Sequence, residues 1–477
     1  MSVLSLQFMF FLLALLICYY GIPVKYRWIV LLLGSYGFYL AGNWKCVFLI
    51  LFTTIQTFFA AGGINRLNCA IKELKQVEDR ELRKVQKNKL VARKKRIVAI
   101  TLVINFSLLF FFKTTYLWRE IPILLPLGIS FYTFQSVGYL IDVYRGHAEA
   151  EKNIFRYALF VSYFPQIIQG PINRYKQLAP QLYNGTVFDL QKIKMGLWLF
   201  LWGMFKKLVI SDRVSVFVNT VLGSNLQETP GSIILLGVFA FNIQLYTDFS
   251  GGIDMVQGVS AMFGIEMAEN FRRPFFSRTL AEYWRRWHIS LGTWFRDYLY
   301  IPLGGNRNGK LRWLRNILIV WLATGLWHGA AWNFVLWGLF FAVLLVAEKL
   351  WLLPVLKHQK FLNHIYVLFF VGISFVLFDA SDVRSAFETI RSMAGLGGLP
   401  AVTGESLYYL KSYSRIFLAA VIGATPLPCR FLVWMKTRKA GVWFAAAAEM
   451  IGPVILLAVS TAFLIDGSFH PFLYFRF

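Results

Sequence analysis

The chain has 477 residues, of which 57% are hydrophobic, 18% aromatic and only 15% charged. Its mean hydropathy is +0.55, and 49 Lys and Arg against 24 Asp and Glu leave a formal charge of +25. Soluble proteins carry about 25% charged residues, so this composition excludes a disordered chain and argues against a soluble enzyme. The positive charge falls in short loops between apolar runs, the pattern of a polytopic membrane protein obeying the positive-inside rule, and not of a nucleic-acid binder. Cys18, Cys46, Cys69 and Cys429 have neither disulfide nor metal spacing, and no metal site is expected.

A membrane-crossing helix needs roughly 20 mostly apolar residues. In chain order the candidates are Leu4 to Tyr20, Trp28 to Leu40, Trp44 to Ala61, Ile97 to Phe112, Ile121 to Ile141 and Phe155 to Ile168. They continue with Met195 to Val221, Ser232 to Tyr246, Ile317 to Ala347, Phe361 to Phe378, Ile416 to Leu427 and Val442 to Ile465. Some of these are short or broken. The expected fold is an all-α, polytopic integral membrane protein with roughly eleven spans plus re-entrant or interfacial helices. It forms one membrane domain over residues 1–477. The first run lacks a basic n-region and a cleavage site, so it reads as a retained helix. No internal repeat is visible.

Two basic stretches punctuate this pattern. Arg66 to Arg96 holds twelve basic and four acidic residues, which predicts a solvated amphipathic helix on the cytoplasmic side against anionic lipid. Glu269 to Arg315 holds ten basic and three acidic residues and is rich in aromatics. Within it Leu280, Trp284, Trp287, Leu291, Trp294 and Tyr298 recur at steps of three and four, predicting one interfacial helix that ends at Pro302 and Gly304-Gly305.

Two histidines stand out. His328, in the segment Thr324 to Asn333, lies eleven residues into its apolar run. At ~1.5 Å per residue that is ~16 Å deep, near mid-bilayer. Buried ionisable groups there commonly line cavities. Gly325 and Gly329 would let a substrate approach the backbone, and a neutral imidazole could act as general base. A packing histidine bonded to Asn333 or a carbonyl remains an alternative. His288 borders the aromatic stripe, with Arg285 one turn before it. On its own it reads as an interfacial histidine satisfied by the backbone. Arg272, Arg273, Arg285, Arg286 and Arg296 could pair with phosphates or serve only the charge rule. Asp248 and Asp254, with Gly251-Gly252 between them, suggest a broken helix lining a cavity.

Together these segments resemble the membrane-bound O-acyltransferase superfamily, and within it the alginate O-acetyltransferase branch. The matching stretches are Leu125 to Tyr132, Ile141 to Gly146, Gln169 to Ile172, Tyr246 to Asp254, Glu282 to Asn308 and Gly325 to Asn333. The block Tyr283 to Leu291, running on to Tyr300 to Gly305, is the most specific of them. The resemblance is weakest at Arg66 to Arg96 and from Leu350 to Ser460.

The resemblance implies that His288 and His328 are the family's two characteristic histidines. It implies acyl transfer from a thioester, acetyl-CoA or an acyl carrier protein, to a hydroxyl across the bacterial cytoplasmic membrane. His328 would take the proton, while Asn333, Trp327 and Asp248 help hold the substrates. His288, Arg285 and Arg286 would guide the donor. The acceptor would be an exopolysaccharide or cell-wall polymer, reached directly or through an extracytoplasmic acetyltransferase- or esterase-like partner. No bound cofactor and no nucleic acid are expected; membrane lipids are. The C-terminal run Phe472 to Phe477 resembles a Phe-x-Tyr-Phe-x-Phe ending in which Tyr474 could relay the acyl group, although such tails also anchor at interfaces. The D-alanyl transferases of teichoic acids share the Trp-x-x-His core and remain an alternative. A transporter or flippase for a polysaccharide precursor is the alternative from another class.

Overall fold

The computed structural model describes residues 2–114, 126–223, 228–307, 309–359, 361–396, 402–425, 427–465 and Phe472. The described residues are helices and connecting turns, with no strand among them. Among the described residues six helices are long and apolar enough to cross a membrane: Trp44–Gln76, Arg80–Thr114, Gly231–Met262, Trp332–His358, Leu362–Asp379 and Gly441–Ile465. A shorter apolar helix covers Leu6–Gly21. The polytopic all-α architecture is as expected, but the expected eleven spans are not all continuous helices. Phe155 to Ile168 is broken at Tyr163, just ahead of Pro165, into Ile154–Ser162 and Phe164–Gln169. Residues 115–125, at the start of the expected Ile121 to Ile141 span, lie outside the described residues.

The chain clusters into two compact units. One comprises Met1–Gly196 with Val256–Ala268. Its first helices are α1 (Leu6–Gly21), α2 (Arg27–Asn43), α3 (Val47–Glu73) and α4 (Arg80–Thr114). The Ser5 hydroxyl caps α1 by accepting from Phe8 N at 3.2 Å. The basic run Arg66 to Arg96 is not a separate surface helix. It forms the facing ends of α3 and α4, joined by a short turn at Val77–Asp79. The sequence pattern failed here because a charged helix end extends an apolar span without changing the period. Next comes α5 (Ile129–Arg145), buried on nearly every side and ended by Gly146 at φ 75°. Gly146 N donates to Val143 O and His147 N to Asp142 O, the left-handed helix stop that glycine allows without steric cost. Then follow α6 (Ile154–Ser162), α7 (Phe164–Gln169), α8 (Tyr175–Asn184) and the start of α9 (Leu190–Phe205).

The other unit comprises Leu197–Met255 and Glu269–Phe477. A π-helical stretch, Lys206–Ser211, separates α9 from α10 (Asp212–Leu222). Next, α11 (Gly231–Met262) runs unbroken through Tyr246 to Asp254, correcting the expected broken helix. Its glycine serves a helix crossing instead. A Cβ on Gly251 would fall 2.9 Å from Gly203 O, and one on Gly203 would fall 2.5 Å from Gly251 O. The segment α12 (Leu280–Arg286) and α13 (Ile289–Phe295) is likewise not the single helix its stripe predicts. The expected run Ile317 to Ala347 is a hairpin of α14 (Lys310–His328) and α15 (Trp332–Ala347), turned at Gly329–Ala331. The remaining helices are α16 (Leu353–His358), α17 (Leu362–Asp379), α18 (Val383–Met393), α19 (Gly404–Ala424), α20 (Leu427–Lys436) and α21 (Lys439–Ile465). The core of this unit is aromatic, with Trp287, Trp321, Trp337, Phe341, Phe375 and Phe378 among its buried members.

Candidate active site

The site is built where two backbone interruptions meet. Thr279 caps α12 through Glu282 N at 3.0 Å. Buried Glu348, from the π-helical turn after α15, accepts from Leu280 N at 2.5 Å and Ala281 N at 3.1 Å. A carboxylate at a helix N-terminus satisfies orphan donors and complements the dipole. At its other end α12 stops at Trp287, and His288 takes a left-handed conformation at φ 45°, ψ 54°. Among the described residues only Arg273 and His288 have positive φ without being glycine. Such backbone costs roughly 1–3 kcal/mol and survives only where its surroundings over-determine it. Here the segment Asn270–Arg272 does so: Asn270 O accepts from Ile289 N at 3.0 Å, and Arg272 N donates to Arg286 O at 2.9 Å. The residue that breaks the helix is thus also one that lines the cavity.

His328 comes from the other interruption. It is the last residue of α14, and Gly329 is extended at φ 178°. The hairpin is close because glycines face the opposing helix. A Cβ on Gly325 would lie 2.4 Å from Phe334 O, and one on Gly338 would lie 2.3 Å from Trp321 O. A Cβ on Gly329 would meet the Phe334 ring at 2.5 Å. The space expected for a substrate at Gly325 and Gly329 is therefore filled by α15, which corrects that reading. His328 also lies at a helix end, eighteen residues after Lys310, and not midway along one helix.

Both histidines line one cavity of about 540 Å³, a size suited to a small-molecule ligand. Asp248, Arg272, Arg285, Arg296, Thr293, Tyr300 and Thr324 also line it, with Trp284, Trp287, Trp337, Phe375 and Phe378 as apolar wall. Trp327 is buried, its ring 4.7 Å from the His328 ring and 6.1 Å from that of His288. Phe378 and Trp337 stand edge-on to His328 at 5.0 and 5.2 Å. His288 is 4% exposed, and burial pushes its imidazole down to about 3, so it is neutral at physiological pH.

The other expected site residues are placed as follows. Asn333 is buried and its amide donates to Phe378 O at 3.2 Å and Ala380 O at 3.1 Å, fastening α15 to the end of α17. Arg285 faces the cavity, whereas Arg286 is paired with Glu282 one turn back. Arg272 and Arg296 reach the cavity while paired with Glu269 and Asp297. Asp248 lines the cavity and is bound by Lys207 at 2.6 Å, and the same ammonium meets Asp212 at 2.8 Å. Beside them Lys206 pairs with Asp254 at 2.7 Å and donates to Ser250 at 2.9 Å. Tyr474 lies outside the described residues. Sequence reasoning missed the lysines, although two adjacent cations inside an apolar run are themselves a signal of buried pairing. It also missed Asn270, for which no spacing signal exists.

A helical membrane protein that opens a cavity onto two histidines and several arginines has the features of a membrane-embedded group-transfer enzyme. A family model described as MBOAT, membrane-bound O-acyltransferase family, matches residues 147–378, which include every cavity residue named above. The chain is 32% identical to the probable alginate O-acetylase AlgI of Azotobacter vinelandii, over 96% of this chain and 96% of that protein. It is 30% identical to the peptidoglycan O-acetyltransferase of Helicobacter pylori, over 81% and 83% respectively. It is 31% identical to the teichoic acid D-alanyltransferase of Bacillus subtilis, over 46% and 58%. The chain belongs to the membrane-bound O-acyltransferase family and is an acyltransferase.

Proposed function

We propose that the protein moves an acetyl group from a cytoplasmic thioester, acetyl-CoA or an acyl carrier protein, to hydroxyls of an extracytoplasmic polysaccharide or cell-wall polymer. Transfer is direct or passes through an extracytoplasmic acetyltransferase- or esterase-like partner, and the setting is the bacterial cytoplasmic membrane. The observation that carries this reading is the convergence of His288 and His328 on one cavity with Arg272, Arg285 and Arg296 in its lining. A thioester is already activated, so the enzyme needs a base for the hydroxyl and a dry, oriented site. His328 takes the hydroxyl proton as the oxygen attacks the carbonyl carbon; the C–S bond then breaks and the thiolate leaves. The arginines suit the phosphates of coenzyme A or of a carrier's prosthetic arm. The donor is a substrate, and the reading calls for no bound cofactor or metal. Acetyl is favoured over D-alanyl because the O-acetyl-transferring relatives match over most of the chain and the D-alanyl relative over less than half of it.

Tyr474 is a further element of the proposal, as a relay that accepts the acetyl group and passes it on. Two residues before it, Phe472 is buried with its ring 5.0 Å from the Lys207 ammonium, which holds the cavity residue Asp248. A phenol is a poor nucleophile until a base takes its proton. The test uses purified protein in lipid, with acetyl-CoA, acetylated carrier protein and candidate glycans, following thiol release and glycan acetylation. Thiol release that depends on His328 supports the reading. No thiol release from either donor, with any acceptor, refutes it. Acetylation by Tyr474→Phe equal to the parent removes the relay and leaves the tail as an anchor.

A further inference from the structure

The polar neighbours of His288 determine which of its ring nitrogens carries the hydrogen. Asn270 is 1% exposed, and its Oδ1 receives three groups: Ser290 N at 3.2 Å, Ser290 Oγ at 2.8 Å and His288 Nδ1 at 3.1 Å. A backbone N–H can only donate, so the Asn270 atom facing Ser290 must be the carbonyl oxygen. That oxygen can only accept, so His288 Nδ1 must bear the hydrogen. The other nitrogen, Nε2, is left with a bare lone pair, buried and without a hydrogen-bond partner among the described residues. His288 itself lines the cavity.

We propose that Asn270 is a positioning residue that fixes His288 as its Nδ1–H tautomer, so that Nε2 meets the substrate only as a hydrogen-bond and proton acceptor. The chemical class of its ligand follows. Nε2 takes an O–H or N–H of the substrate and cannot stabilise the oxyanion of the tetrahedral intermediate, which needs donors. Asn270 also holds the strained turn, since its backbone carbonyl accepts from Ile289 N immediately after His288. One residue thereby sets both the left-handed backbone and the tautomer. In the acyl transfer proposed above, on which the kinetic part of this inference rests, His288 Nε2 then holds the substrate by accepting one of its O–H or N–H groups, while His328 takes the proton of the acceptor hydroxyl.

The charged and titratable groups that line the cavity together with His288 are Asp248 from α11, Arg272, Arg285, Arg296, Tyr300 and His328. Burial keeps the imidazole neutral, so the Nδ1–H form persists at neutral pH. Replacing Asn270 by Asp keeps an acceptor for Nδ1–H and Ser290 but sets a carboxylate against the ring. The imidazolium becomes more favourable, and the acid limb of the rate profile moves to higher pH. Replacing it by Leu removes the acceptor altogether.

The experiment is nitrogen NMR on full-length, ¹⁵N-histidine-labelled protein in lipid, with the His288 signals assigned by their loss in His288→Gln. The parent should show a protonated Nδ1 and a bare Nε2 at neutral pH; a protonated Nε2 overturns the proposal. Asn270→Leu should mix or reverse the tautomers and lower kcat by about 10²-fold with KM little changed. An unaltered tautomer or an unaltered kcat in that variant also overturns it. If Asn270→Leu fails to fold, Asn270→Asp decides: the acid limb of kcat must shift upward, and an unshifted profile refutes the assignment. Should the parent transfer no acyl group to any acceptor, the functional reading falls while the tautomer spectrum still judges Asn270.

Discussion

Replacing Lys207 by Met should strongly destabilise the protein, and the size of the effect can be worked from two distances. The Lys207 ammonium lies 2.6 Å from Asp248 Oδ1 and 2.8 Å from Asp212 Oδ1, with all three side chains no more than 3% exposed. The two carboxylate oxygens can be no farther apart than about 5.4 Å, the two distances laid end to end. At an effective dielectric constant of ~20, two like charges at that separation repel by at least ~3 kcal/mol. Breaking a buried pair by removing one partner costs about 3–5 kcal/mol by experiment elsewhere, which agrees. Against a total stability of roughly 5–15 kcal/mol that is a large share. Asp248→Asn should cost less, since Lys207 keeps Asp212 and one charge-assisted hydrogen bond is weakened, worth about 1.5–3 kcal/mol. The diagnostic variant is the double one. Lys207→Met with Asp248→Asn leaves one buried carboxylate in place of two, so the second mutation should restore stability lost by the first. Thermal denaturation of purified protein in detergent, read by the surviving monodisperse fraction, gives the order. A double variant no more stable than Lys207→Met would show that repulsion between the two aspartates is not what Lys207 suppresses.

Three further outcomes are expected. His328→Ala should fold, because an imidazole replaced by Ala costs at most ~1–3 kcal/mol, yet lower thioester turnover by roughly 10²–10⁴-fold; a folded variant with parental turnover removes His328 as base. Gly325→Ala should destabilise the protein by about 1–3 kcal/mol or more and depress turnover, since its Cβ would stand 2.4 Å from Phe334 O and must part α14 from α15 beside His328; an unchanged melting point and rate would contradict the hairpin geometry. Single cysteines at Gln76 and Asn308 in a Cys-less background should resist a membrane-impermeant thiol reagent in intact cells, and labelling before permeabilisation at either would reverse the orientation read from loop charge.

Much of the architecture was legible because hydropathy over ~20 residues is a strong signal, and six long apolar helices among the described residues answer to it. What failed was continuity. The stripe Leu280 to Tyr298 has the helical period on both sides of His288, yet the chain reverses its dihedral sign there. Periodicity records which side chains are apolar and says nothing of a single residue held in a left-handed turn by distant hydrogen bonds. Gly251 shows the opposite error: it suggested a break, and it is a close helix contact with Gly203. At the cavity, His328 and Asp248 stood out from the residues themselves, and His288 and Arg285 through the family resemblance. Asn270 was not, since its importance comes from three hydrogen bonds that only the folded backbone brings together.

The two interruptions at His288 and Gly329 share a physical logic. A side chain in mid-helix points sideways into its neighbours, and its backbone groups are already committed to the i−4 ladder. A residue at a helix end escapes both restrictions, so its ring can face a cavity while the local backbone bonds elsewhere. His288 ends that way because Asn270 and Arg272 take over the hydrogen bonds of the broken ladder. His328 does so because α15 folds back through glycines to within backbone contact of α14. In each case the cost is local, a left-handed histidine on one side and three glycines without side chains on the other. The surrounding Trp and Phe rings offset it with buried aromatic area. Packed aromatic walls and cavity histidines at helix interruptions are thus two consequences of one packing arrangement. A substitution that lets either helix run straight should therefore remove its histidine from the cavity before it unfolds the protein.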